Sequence, residues 1–102
     1  MENWLKCTIT PGQFPGELGV DGKQHDGTPF SFFAPKTAVR YDREPEGNKT
    51  VPGSVKVEVT DRRGDLILVR LPRQTFQGGL FVTVKENQLE DPLPKARKAT
   101  AG

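Results

Sequence analysis

Apolar and polar side chains alternate in two stretches fifty residues apart. Leu5, Cys7 and Ile9 are separated by Lys6 and Thr8, and Val55, Val57 and Val59 by Lys56 and Glu58. A period of two marks a strand with one face buried and one face wet. Residues 54–90 form the most regular run, with strands expected at 55–59, 66–71 and 80–84 and with Arg63-Gly64-Asp65 and Gln77-Gly78-Gly79 as turns. Upstream, a strand at 4–10 leads into a Pro-Gly loop at 11–16 that carries Phe14. A short strand follows at 17–23, weakened by Gly19 and Gly22 and therefore expected at a sheet edge. The His25-Asp26-Gly27-Thr28 turn then leads to a strand at 29–34. One helical or 3₁₀ turn at 35–38 returns Val39 to the core. Residues 42–53 read as a mobile polar linker and residues 91–102 as a disordered basic tail.

The two halves superimpose at an offset of fifty. Leu5, Cys7 and Ile9 fall on Val55, Val57 and Val59, and Phe30, Phe32, Ala34 and Val39 fall on Leu80, Val82, Val84 and Leu89. The middle of each half matches poorly. The pattern reads either as a duplicated three-strand unit, with halves at 4–41 and 54–90, or as two unrelated meanders. In both cases six short strands predict an all-β fold, a small six-stranded antiparallel barrel at 1–90, because curling hides edges that a flat sheet would expose.

Two segments carry a family resemblance. Phe32-Phe33-Ala34-Pro35-Lys36-Thr37-Ala38-Val39 and Val82-Thr83-Val84-Lys85-Glu86-Asn87-Gln88-Leu89 each resemble the last strand, 3₁₀ turn and closing apolar residue of SH3-like small β-barrels. The resemblance implies a barrel architecture. It does not extend to proline-rich peptide recognition, because the Ala-Leu-Tyr-Asp-Tyr strand, the Trp pair and the Tyr of the 3₁₀ turn are missing; Thr37 or Ala38 stands where that Tyr would be.

Composition narrows this picture. Eleven Gly and nine Pro in 102 residues favour turns over long helices. The single cysteine excludes an intramolecular disulfide, and no apolar run reaches the length of a membrane span, so a soluble protein of the reducing cytoplasm is expected. Residues 1–50 carry six Lys/Arg against seven Asp/Glu and residues 51–102 nine against six, leaving −1 and +3. Lys95, Arg97 and Lys98 supply part of the second value.

Chemistry is sparse. His25 beside Asp26 lacks a nucleophile at motif spacing, Cys7 sits on an apolar strand face, and Cys7, His25, Asp21 and Asp26 have no metal-ligand spacing. The glycines between Gly12 and Gly22 precede no helix, which excludes a phosphate loop. The expectation is therefore a non-catalytic protein with no cofactor and no metal. The aromatics are the better lead, since Phe33 and Phe81 fall on the opposite parity from Phe30, Phe32, Leu80 and Val82. Phe14, Phe33 and Phe81, with Arg62, Arg63, Arg70 and Arg73, are the candidate binding residues. Such a surface suits a protein partner or self-association first, with no membrane; RNA or single-stranded DNA is the alternative, through base stacking and phosphate neutralisation. A small enzyme ranks third.

Overall fold

In the computed structural model, which describes residues 3–47 and 49–90, every extended element is antiparallel. Seven strands form in chain order: β1 (Asn3–Pro11), β2 (Glu17–Lys23), β3 (Pro29–Pro35), β4 (Val39–Tyr41), β5 (Val51–Arg63), β6 (Leu66–Arg70) and β7 (Phe81–Lys85). One 3₁₀ turn, Lys36–Ala38, separates β3 from β4, and another, Glu86–Gln88, follows β7. The sheet order is β3-β2-β1-β5-β6-β7, with β4 paired to β5, and the sheet curls into a half-barrel. The alternation read from the sequence fills its interior: Leu5, Ile9, Val20, Phe32, Val55, Ile67, Val69 and Val84 are all buried. The tail expected at 91–102 lies outside the described residues.

Three expectations about the elements change. β2 lies inside the sheet, between β1 and β3, rather than at its edge. Its glycines are there for space: a Cβ on Gly22 would sit 2.5 Å from the tip of the Phe30 ring, and one on Gly19 would collide with the Thr10 hydroxyl, with the Phe33 ring beside it in ordinary contact. Phenylalanines from β3 cover the places where β2 has no side chain. β5 starts at Val51, inside the expected linker, and runs 13 residues to Arg63. A seventh strand, β4, extends the expected six; at its end Tyr41 donates its hydroxyl to Glu44 at 2.8 Å, and beyond it Pro45 is buried.

Pairing registers repeat between the halves. Leu5 faces Val55 in the central β1–β5 ladder, and a shift of fifty exchanges the two. Val39 pairs with Val55 on one side of this axis, and Leu89 bridges to Leu5 on the other. Val20 opposite Phe32 corresponds to Val69 opposite Val82, so β6 follows β2 at a shift of forty-nine. A bulge between Val59 and Asp61 adds a residue to β5 and the connection from Arg63 to Leu66 is shorter than that from Pro11 to Glu17, so the middle of the sequence comparison is out of phase.

Trp4 and Ser54 occupy equivalent positions beside the axis. Ser54 has the outward parity of Lys56 and Glu58 yet is fully buried, and its hydroxyl has no hydrogen-bond partner among the described residues. It lies opposite Lys6 and Arg40 and diagonal to Trp4. Arg40 stacks on the Trp4 ring at 3.8 Å and pairs with Glu90 at 3.8 Å, forming an outer layer over the axis.

Loops seal the two outer strands. On β3, Ser31 donates its N–H to Gln77 Oε1 and accepts from Phe76 N–H through its carbonyl. On β7, Thr83 donates to Gln24 Oε1 and accepts from His25 N–H. The loop before β7 therefore caps β3, and the turn before β3 caps β7.

Candidate functional site

Phe76 is the most deliberately presented apolar side chain. Its turn is built from Thr75, whose N–H bonds to the Gly79 carbonyl and whose hydroxyl donates to the Gly78 carbonyl. Gly78 and Gly79 take φ of 101° and 92°, which glycine adopts without strain. With its own N–H on Ser31 and Gln77 on the same residue, Phe76 projects from a fixed turn, 66% exposed. Its ring meets that of Phe33 edge to face at 5.3 Å and 71°. Phe76 is not among the binding residues expected from the sequence; the Thr and the Gly pair around it are the available signal.

The remaining sequence-predicted residues divide into two regions. Phe14 is 67% exposed in the loop before β2, while Phe33 is half-buried between Gly19 and Phe76. Phe81 is 51% exposed on β7, directly opposite Arg70 on β6, which in turn faces Glu58 on β5. Because Ile67 and Val69 point inward, Leu66, Leu68 and Arg70 line the outer face of β6. Arg63 and Lys85 flank Leu66 there. Arg62 reaches Glu86 at 3.2 Å and Arg63 reaches Asp61 at 3.6 Å. Arg73 is exposed on the same loop as Phe76. The arginines thus sit among carboxylates and form no continuous basic stripe.

Two grooves complete the surface, and they occupy the same place in the two halves. One, of about 590 Å³, opens where β5 changes partner from β4 at Val55 to β6 at Glu58, and is lined by Ala38, Lys56, Val57, Glu58, Arg70, Leu71 and Pro72. The other, of about 510 Å³, opens where β1 passes from Leu89 at Leu5 to β2 at Thr8, with Lys6, Cys7, Asp21, Lys23 and Gln88 in its walls. Gln88 spans this second groove, donating to the Lys23 carbonyl at 2.8 Å and accepting from Lys85 N–H at 2.7 Å. The equivalents of Gln88 and Lys85 in the first groove are Ala38 and Pro35. A methyl cannot span, and a proline has no N–H to cap, so no counterpart of the Gln88 bridge crosses the first groove, and the two grooves are nevertheless of similar size.

Cys7 is partly buried on β1. Burial, then Glu90 and Asp21, push the Cys7 thiol up to about 12 from 9.0. At pH 8 alkylation by iodoacetamide should run about a thousandfold slower in the folded protein than in the denatured one, following the three-unit difference. A raised folded value also means that this contribution to stability is intact below pH 9 and lost as pH climbs towards 12, which urea titrations between those limits would show. His25 is exposed, and its N–H serves the β7 edge. Among the described residues, no group of His, Cys, Asp or Glu could hold a metal ion, and no helix is long and apolar enough to cross a membrane. Comparison of the chain with protein-family models, curated proteins and solved structures finds no match.

Proposed function

We propose that the protein is a non-catalytic interaction module that binds protein, with Phe76 as its anchor. The observation that carries this reading is an exposed phenylalanine held on a hydrogen-bonded turn and backed by Phe33. An aromatic already fixed in place loses little entropy on binding, and such residues dominate interface energies. Phe81 beside Arg70, with Leu66 and Leu68 on the same outer face, supplies a second contact region. Strand addition is disfavoured as a binding mode, because loops already bond to Ser31 and Thr83 on the outer strands. The partner therefore docks side chain to side chain.

Two finer readings accompany this. Each half is an SH3-like arrangement of last strand, 3₁₀ turn and closing apolar residue, supported by Val39 and Leu89 pairing back at equivalent places. Both halves derive from one three-strand unit, supported by the repeated registers. A cytoplasmic location suits a lone thiol. RNA or single-stranded DNA remains the alternative ligand, favoured only by Arg70 lying against Phe81.

Photocrosslinking in cells tests the main reading. A photoreactive phenylalanine analogue at position 76 should crosslink to a defined protein, whereas the same group at exposed Lys49 should not. Equal yields from both positions, or none from 76, would refute it. Oligonucleotide binding at low salt that collapses with added salt would instead support the alternative.

A further inference from the structure

The outward positions of β2 are Glu17, Gly19 and Asp21, since Leu18 and Val20 point into the core. Gly19 faces Thr10 of β1 on one side and Phe33 of β3 on the other. The Phe33 ring therefore rests against a residue without a side chain, flanked by Glu17 and Asp21, each about 7 Å away along β2. Phe76 closes this surface on the β3 side, its ring edge to face with that of Phe33. We propose that this face docks a basic segment of a partner protein, with an arginine or lysine laid against Phe33 and Phe76 between Glu17 and Asp21. The proposal rests on the reading of Phe76 as an anchor and names the chemistry of what it binds.

Three observations favour a cationic occupant. Neither the Glu17 nor the Asp21 carboxylate makes an ion pair or hydrogen bond among the described residues, whereas Glu44, Asp61, Glu86 and Glu90 each have a cationic partner. The cations near the face leave them free: Lys36 is held by Glu44, Lys23 lies beyond Asp21 at about 14 Å along β2 from Gly19, and Arg73, on the Phe76 loop, pairs with neither. Secondly, the carboxylates border an aromatic pair, so a cation is attracted both by their charge and by the electron-rich ring faces. Thirdly, the two halves differ at this place. The shift of forty-nine carries Glu17, Gly19 and Asp21 onto Leu66, Leu68 and Arg70, so the equivalent outer face is apolar and bears a cation. The unpaired acids belong to the face that Phe76 borders, and they would repel the phosphates of a nucleic acid there.

NMR titration of the full chain reads this residue by residue, with acetyl-Gly-Arg-Gly-amide as the probe and acetyl-Gly-Glu-Gly-amide as the control. At low salt the arginine peptide should shift the amides of Gly19, Asp21, Phe33 and Phe76 and saturate with a Kd on the order of 1–10 mM, as one exposed cation site allows. Added salt should weaken it. Glu17→Gln combined with Asp21→Asn should weaken binding at least about threefold, and Phe76→Ser likewise. Glu58→Gln, which removes the carboxylate facing Arg70 on the other half, should leave it unchanged. Amide spectra away from the face confirm that each variant is folded. The proposal is overturned if the arginine peptide shifts no amide on this face, if the double variant binds it like wild type, or if the glutamate peptide or an oligothymidylate shifts the same amides. Should position 76 still crosslink to a protein in cells after such a result, the interaction module stands and only its basic partner is lost.

Discussion

Phe32→Ala should lower the unfolding free energy by about 3–5 kcal/mol, the range for emptying a buried aromatic site. The ring is almost wholly inaccessible, lies opposite Val20 across the β2–β3 ladder, and stacks on Phe30 with centroids 6.3 Å apart. Collapse around the void is hindered on two sides. β2 is an interior strand, and its Gly22 already touches the Phe30 ring, so neither can move inward without disturbing β1. A loss of this size is a large part of the ~5–15 kcal/mol available to a domain of this length. Urea denaturation followed by fluorescence of the single Trp should show a lower midpoint with an unchanged slope. Val82→Ala, at the equivalent place on β7, removes only two methyl groups and should cost about 2 kcal/mol. If the two variants lose the same amount, the core is not divided between the halves as the registers indicate.

Gly53→Ala should also be damaging although it adds a single methyl group. Gly53 sits in β5 between Cys7 of β1 and Tyr41 of β4, and a Cβ there would lie 2.5 Å from the Arg40 carbonyl oxygen and 2.6 Å from Cγ1 of Ile9. One neighbour is backbone and the other is a core side chain, so neither gives way easily. A cost of about 1–3 kcal/mol follows from overpacking. The strain falls on β4, the shortest strand, and should weaken the Arg40 stack on Trp4, so Trp fluorescence of the folded variant should shift as well. Gly64→Ala makes the contrast: that residue has a φ of 64° in an open turn, and its penalty is conformational rather than steric, about 1 kcal/mol. A Gly53→Ala protein as stable as wild type, with native Trp emission, would contradict the packing described for the axis.

The strands were legible because alternation records which face is buried, and Leu5 to Ile9 and Val55 to Val59 state it plainly. Two features hid the rest. Pro52 and Gly53 look like linker residues, yet Pro52 is exposed in the ladder opposite Thr8 and Gly53 gives Ile9 its space, so β5 begins earlier than its alternation shows. Gly19 and Gly22 look like signs of an edge because a sequence cannot show the Phe30 and Phe33 rings lying over them. The candidate site was less readable still. The exposed parity of Phe81 could be inferred by counting, whereas Phe76 lies in a turn, where parity has no meaning. The grooves are lined by residues distant in sequence, and the contrast between Ala38 and Gln88 matters only once their carbonyl and N–H neighbours are known.

The exchange of caps between the outer strands bears on how the chain can fail. Amide hydrogens of Ser31 and Thr83 are each held by the other half, so neither edge can fray without the opposite loop letting go. Their exchange with solvent should therefore track global unfolding rather than local opening. A proteolytic nick in the connection between halves would be tolerated while both stay docked. Separation would bare the edges of β1 and β5 as well as those of β3 and β7, making aggregation rather than a stable half-molecule its consequence.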